Sequence, residues 1–299
     1  MVIDCAIIGG GPAGLSAALV LGRARRTALV FDDNQPRNAV TQETHGFLTR
    51  DGVKPGEFRR LAHQDIKKYP SVEFRHARIT AVSNHEDVFE LVADNGAVVQ
   101  ARTIILATGL KETLPTIDSI HDYYGKSLFS CPYCDGWELK DKPLVVIAGE
   151  GQNAFHMAKV VWNWSRDILV CTNGLALLTE EQKETLQKKE ILIVEDRITA
   201  LVGKNGMLER VVFATREESA RQGGFVVPQW HQASGFGAQL GCDTNAMGGI
   251  VTDRLGRTSV KGIYAAGEVT FLSQLIISAA EGSMAAAGVN FDLTEREFL

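Results

Sequence analysis

The sequence predicts an α/β protein of two Rossmann-like, three-layer ββα dinucleotide-binding domains, the second inserted into the first. Three observations carry that prediction. A short apolar run, Val2 to Ile8, ends in Gly9-Gly10-Gly11-Pro12-Ala13-Gly14 and leads into an apolar helical pattern. A second buried-type run, Leu144 to Ala148, restarts the same order with Gly149-Glu150-Gly151-Gln152-Asn153-Ala154. Late in the chain, the short segments Gly249 to Asp253 and Gly262 to Glu268 are small-residue and strand-like, suited to a return to the first sheet.

In the first repeat, Gly9 permits the tight turn and Gly11 lets a pyrophosphate approach the backbone. Gly14 lets the helix, read as Leu15 to about Ala24, pack on the strand with its N-terminus facing the anion. A second strand over Ala28 to Phe31 ends at Asp32, about eighteen residues past the last glycine, where a carboxylate can accept both ribose hydroxyls. The stretch from Gln35 to Gly52 is polar and aperiodic, a loop holding Arg37, Asn38, His45 and Arg50. Helical spacing of Phe58, Leu61, Ala62 and Ile66 predicts a helix over Pro55 to Tyr69. Alternation in Glu73 to Val82, Val88 to Val92 and Val98 to Ile105 predicts a small antiparallel sheet. The last of these runs into Ala107-Thr108-Gly109, a small-residue turn that lets a strand pass close to a flat cofactor.

The second repeat reads as the strand Leu144 to Ala148, a helix to about Trp164, and a strand Ile168 to Cys171. A helix from Thr179 to Lys189, a strand Ile191 to Val194 and a hairpin around Gly203 to Gly206 complete it. A closing helix is predicted from about Ser273 to Val289. The domains are therefore 1–114 with 232–299, and 115–231.

Composition narrows the function. With 299 residues, 45% of them hydrophobic and 22% charged, the chain can bury a substantial core. A net charge of -5 without a Lys or Arg run offers no field for nucleic acid, and no apolar run reaches membrane-span length. The apolar N-terminus has no charged leader or cleavage site, so it reads as a core strand of a cytoplasmic protein. In that reducing compartment Cys131-Pro132-Tyr133-Cys134-Asp135-Gly136 points to a catalytic pair that cycles between dithiol and disulfide. A zinc site would want a second ligand pair, but Cys5, Cys171 and Cys242 stand alone and read as buried fillers, so no metal is expected. Asp135 is placed to give or take a proton. That role needs its pKa raised by about three pH units, roughly 4 kcal/mol, for which burial beside Trp137 and Tyr133 is the expected source. The plainer alternative is that Asp135 caps the next turn.

The turn at Gly9, the Ala107-Thr108-Gly109 turn, the cysteine motif and Ala265-Ala266-Gly267-Glu268 follow one another along the whole chain in an order and spacing that resembles low-molecular-weight thioredoxin reductases. That group also contains flavin-dependent dithiol oxidases. The resemblance implies an FAD domain made of both chain ends, an inserted NAD(P)H-type domain bearing the disulfide, and a homodimer. It puts the FAD pyrophosphate over Gly9, Gly11, Pro12, Ala13 and Gly14, the adenosine ribose on Asp32, and Gly267 and Glu268 near the ribityl and phosphate. Ser273-Gln274-Leu275 would open a helix towards the flavin, with Ala107, Thr108 and Gly109 at its plane and Asn38 or His45 near the isoalloxazine. Glu268 stands where the group usually has Asp, and Ser273 where it has Arg. By the same resemblance, Cys134 faces the flavin and Cys131 exchanges with a thioredoxin-like protein or a small disulfide or dithiol.

The second nucleotide loop departs from the group. Gly149, Gly151 and Ala154 fit the pattern, but Glu150 replaces a glycine and would cost about 1 to 4 kcal/mol if aimed at a pyrophosphate from about 4 Å. Cys171-Thr172-Asn173-Gly174-Leu175 holds neither arginines for a 2'-phosphate nor an acid for a 2'-hydroxyl. NADPH or NADH therefore competes, as electron partner, with oxygen in a dithiol oxidase or with a protein donor such as ferredoxin. A non-catalytic FAD-binding redox sensor is the reading from another class.

Overall fold

The computed structural model describes residues 2–86, 88–149 and 153–299. Two compact units divide the chain: Met1–Ala39, Gly46–Lys111 and His231–Leu299 form one, and Val40–His45 with Glu112–Trp230 the other.

The first unit opens with β1 (Val2–Ile8), α1 (Pro12–Arg23), β2 (Ala28–Asp32), α2 (Pro55–Ile66), β3 (Val72–His76), β4 (Ile79–His85), β5 (Val88–Ala93) and β6 (Val98–Leu106). β1 lies parallel between β2 and β6, and β3 pairs parallel with the far edge of β2. The alternating stretch Glu73 to Val82 is thus two strands, not one. Its first half extends the parallel sheet, and the chain breaks at Ala77 and Arg78 before β4 turns antiparallel against β5. Nor is the antiparallel part a separate small sheet. β5 pairs antiparallel with the start of β6 and so joins the same seven-stranded sheet.

The second unit follows β7 (Leu110–Thr113) with α3 (Ile120–Tyr123), β8 (Leu128–Phe129), α4 (Pro132–Asp135), β9 (Leu144–Ala148), α5 (Ala154–Val161), β10 (Ile168–Cys171), α6 (Glu180–Gln187) and β11 (Leu192–Val194). β12 (Ile198–Lys204), β13 (Met207–Phe213), β14 (Ser219–Ala220), β15 (Gly224–Val227) and β16 (Gln229–Gln232) complete the excursion, with β16 paired to β7. Its main sheet is all parallel, in the order β11-β10-β9-β15-β8. Every residue of β9 and β10 is buried, as expected for parallel strands covered on both faces. Thr179 and Gln182 cap α6 reciprocally, which fixes where that helix starts. β12 and β13 form the predicted hairpin, turned by Asn205 and Gly206, both at positive φ.

The chain then returns through α7 (Phe236–Gln239), β17 (Ile263–Ala265) and α8 (Leu275–Phe298). β17 lies parallel to the end of β6, on the edge whose start is taken by β5. Gly249 to Asp253 makes only an isolated bridge, Thr244 to Ile250, because Asn245 Oδ1 accepts the Met247 and Gly249 N–H groups and holds a turn there. The closing helix runs nine residues beyond Val289 to Phe298. Buried Leu293 extends its apolar stripe, Asp292 accepts from Arg257 and from Tyr264 Oη, and Asn290, Thr294 and Glu297 take the Arg26 guanidinium. One core packs α1 and α8 on the sheet through Leu21, Ile105, Tyr264 and Val289; another covers the opposite face with Phe31, Phe89, Ile104 and Ile250.

No described helix is long and apolar enough to cross a membrane.

Candidate active site

The glycine turn of the first unit is built by close approaches. A Cβ on Gly9, which sits at φ 117°, would come within 2.2 Å of Ala107 O, so the turns after β1 and β6 lie one on the other. A Cβ on Gly14 would come within 1.9 Å of Gly9 O, the contact that seats α1 on β1. Gly10 is as constrained, because its Cβ would meet the Asp32 carboxylate at 2.3 Å. Gly11 differs: nothing lies within 4 Å of its missing side chain. It is the N-cap of α1, provides no side-chain cap, and leaves first-turn N–H groups facing that open space.

Asp32 ends β2 beside this turn. Its Oδ1 accepts the Asn34 N–H at 2.9 Å, and its Oδ2 pairs with Arg59 on α2. Gly267, after β17, sits at φ 81° against Ala13, and its N–H donates to Glu281 Oε2 at 2.7 Å. Glu268 is held by both nitrogens of the Arg37 fork, at 3.1 and 2.7 Å. Ser273 Oγ meets Ser278 Oγ at 2.9 Å, and Gln274 is the N-cap of α8, ahead of Leu275. Thr108 Oγ1 accepts from Ser234, and Gly109 sits at φ 68° with open space beside it. Asn38 lies in the 3-10 turn Arg37–Val40.

In the second unit Cys131 and Cys134 are joined by a disulfide. Cys131 caps α4, Pro132 occupies its first turn, and the following Gly136 has no room for a side chain because its Cβ would lie 2.8 Å from the Trp164 ring. Asp135 is 8% exposed, and its carboxylate accepts no hydrogen bond among the described residues. Burial pushes its pKa up to about 7, with the Glu138 carboxylate adding and His45 opposing. The direction and the main cause, burial, match the expectation, while the two aromatics next to it in sequence are themselves largely exposed. Tyr133 and Trp137 are each 68% exposed, Tyr133 stacking edge-on to Trp164 and Trp137 lying under Lys140. The turn-cap alternative finds no support, since no N–H of the described residues is bound by Asp135. His45 belongs to this unit, its Nε2 3.7 Å from Glu138 Oε1 and 3.8 Å from Glu43 Oε2.

The other cysteines are inert by comparison. Burial pushes the Cys5 and Cys171 thiols up to about 12, and raises Cys242, whose Sγ donates to Thr258 Oγ1.

The second nucleotide-type turn follows β9. Gly149 precedes it and Ala154 opens α5, capped by Asn153 Oδ1, which accepts the His156 N–H at 2.8 Å; Glu150 and Gly151 lie outside the described residues. After β10, Asn173 Oδ1 accepts the Ile198 N–H at 2.9 Å and Gly174 N–H donates to Glu195 O at 2.9 Å, so the loop is closed onto the next segment.

Residues 3–287 match the model of the pyridine nucleotide-disulphide oxidoreductase family. The chain belongs to that family. A putative thioredoxin reductase TrxB from Bacillus anthracis superposes with a TM-score of 0.93 at 45% identity, over 99% of both chains. Thioredoxin reductase aclD of Aspergillus oryzae is 30% identical over 96% of this chain and 95% of its own. A probable thioredoxin reductase of Arthroderma benhamiae is 35% identical over 57% of this chain, a match that spans only 44% of that protein. The family member described here is a flavoprotein disulfide oxidoreductase of the thioredoxin-reductase-like kind, with the Rossmann-like α/β fold the sequence predicts. The family uses FAD and pyridine nucleotide.

Sequence reading missed Gly10, Arg37 as a partner of Glu268, Arg59, Glu138 and Glu281. For Gly10 a signal existed, the middle one of three consecutive glycines before a strand that ends in an acid. For the rest no local pattern marks the partner.

Proposed function

We propose that this chain exchanges thiols and disulfides through Cys131 and Cys134 in dependence on FAD, with residues 1–114 and 232–299 as the FAD domain and 115–231 as the inserted domain bearing the disulfide. The observation that carries the reading is the disulfide followed directly by a buried carboxyl that titrates near neutrality. FAD suits the first unit because Gly11 leaves open space in front of the bare N-terminus of α1, a cradle that a side chain would fill.

In this reading Gly9, Gly11, Pro12, Ala13 and Gly14 receive the pyrophosphate and Asp32 the ribose. Gly267, Glu268, Ser273, Gln274, Leu275, Ala107, Thr108, Gly109 and Asn38 line the remainder. When bound, FAD supplies a two-electron store. Cys131 forms the mixed disulfide with the substrate, and Cys134 resolves it as attacking thiolate or is released as leaving thiolate. Asp135, half protonated near pH 7, holds the proton that Cys134 needs when it leaves and gives up when it attacks. The substrate class is a thioredoxin-like protein or a small disulfide or dithiol, in the cytoplasm. A homodimer belongs to the same reading, since α8 and the segment before it expose Phe271, Leu272, Ile276, Ile277 and Met284 together.

One observation favours a second reading of the electron partner. The loop after β10 has no arginine, and its Asn173 is committed to Ile198. Without a 2'-phosphate clamp, the partner becomes oxygen, as in a dithiol oxidase, or a protein donor such as ferredoxin.

Anaerobic stopped-flow absorbance of the flavin tests both. Dithiothreitol should bleach the wild-type flavin, and Cys134→Ser should lose that bleaching by at least about 1,000-fold while its FAD stays bound. Bleaching that persists in Cys134→Ser would sink the assignment of the pair. Under the second reading neither NADPH nor NADH bleaches the flavin of protein that dithiothreitol still reduces. Fast bleaching by either nucleotide would refute that reading and establish a working nucleotide site in the second unit.

A further inference from the structure

His45 is carried on a short excursion of the chain. Residues Val40–His45 belong to the second unit, whereas their neighbours Ala39 and Gly46 belong to the first. The His45 ring faces two carboxylates at bridging distance, Glu43 from its own segment and Glu138 from the turn after α4. Glu138 is three residues past Asp135, in the turn that follows α4, and Asp135 is buried. The charged groups that act on Asp135 are of both signs, Glu138 and His45, and each has charged or cationic neighbours of its own. From its own stretch come Glu138, Lys140 on the Trp137 ring and Lys142, whose Nζ donates to Glu138 O at 2.8 Å; from the excursion come Glu43 and His45.

We propose that His45 and Glu138 are opposed positioning residues for the proton on Asp135, Glu138 retaining it and His45 releasing it, so that the His45 excursion serves the disulfide rather than the flavin. The proposal rests on the reading of Cys131 and Cys134 given above. The chemistry it governs is one exchange step. An incoming thiolate bonds to Cys131 Sγ, the Cys131–Cys134 bond breaks, and Cys134 leaves with the electron pair. The proton that neutralises it comes from Asp135, and the reverse step returns it. A neighbouring carboxylate disfavours ionisation of Asp135, and an imidazolium favours it. Removing the two residues therefore has opposite effects, which a loss of packing would not produce.

The test is the pH profile of disulfide opening in the full-length flavoprotein. Dithiothreitol opens Cys131–Cys134 for a timed interval, acid and an alkylating agent stop the reaction, and mass spectrometry counts modified cysteines. Rates are divided by the thiolate fraction of the reagent. The wild-type rate should fall as pH rises through about 7, as Asp135 loses its proton. His45→Gln should move that limb to higher pH by about half a unit, and Glu138→Gln should move it to lower pH by a similar amount. Glu138 is exposed enough that its variant tests the idea even where His45→Gln folds poorly. Limbs that stay in place, or shift in one direction in both variants, overturn the proposal. Asp135→Asn separates this from the parent reading: it should abolish the limb, and a limb that survives it would remove Asp135 from the chemistry whatever His45 does.

Discussion

The two dinucleotide-type halves of this molecule share an order of elements and differ at two places. Both run a buried strand into a glycine-containing turn, a helix, and a second parallel strand. In the first half the second strand ends in a carboxylate set against the turn, with Gly10 reduced to hydrogen to admit it. In the second half the equivalent strand end is Thr172-Asn173-Gly174, where Asn173 Oδ1 accepts from Ile198 and the Gly174 N–H donates to Glu195 O. A common scaffold thus ends its second strands differently: in one copy with a carboxylate held by Asn34 and Arg59, in the other with an amide bonded to the chain's own backbone. The architecture alone does not make a nucleotide site; the atoms at the end of the second strand do.

Matched substitutions sharpen this contrast. Gly14→Ala forces a methyl to within 1.9 Å of a backbone oxygen, and flavin content of the purified protein should drop at least about tenfold, with about 3 kcal/mol or more of stability lost. Gly174→Ala, at φ 85° but with only Arg197 Cβ at 3.9 Å, should cost about 1 kcal/mol and leave flavin content unchanged. Equal flavin loss in both would erase the distinction between the halves.

A smaller effect is expected from the buried acid. The folded Asp135 pKa of about 7 is above that of an unfolded carboxyl, so the folded state binds its proton more tightly. Its contribution is fully present below about pH 4 and is lost as pH rises to about 7. Asp135→Asn should flatten that decline and be the more stable protein at pH 8, by on the order of 2 kcal/mol in denaturant titrations. An unchanged slope between pH 4 and 7 would mean that the carboxyl is not buried in solution.

What the sequence disclosed follows range. The Gly9 to Gly14 turn, Asp32 and the cysteine motif are read within a few residues of each other, and each finds a local geometric reason. Strand direction was not legible: alternation in Glu73 to Val82 is the same whether a strand runs with its neighbour or against it. Nor were the partners of distant charges. Arg37 meets Glu268 across 231 positions, and Asp32 meets Arg59 from a helix whose periodicity marks only its apolar side. The last nine residues of α8 are not legible locally, because Asn290, Asp292 and Thr294 find their partners in Arg26, Arg257 and Tyr264, far away in sequence. For Asp135 the need for a raised pKa and its burial followed from the chemistry, but the opposing charges of Glu138 and His45 did not, since His45 lies ninety residues away in sequence.

Gly282 of α8 has no room for a side chain because Ala13 O would lie 1.9 Å from it, and β17 fills the edge of β6 opposite β1. These contacts set an order of events in synthesis. Residues 112–230 are one uninterrupted stretch and can collapse as soon as they are made, whereas the turn at Gly9, first to be translated, waits for residues 263–298 before its walls exist. The disulfide-bearing stretch is thus complete in the growing chain before the walls of the glycine turn exist.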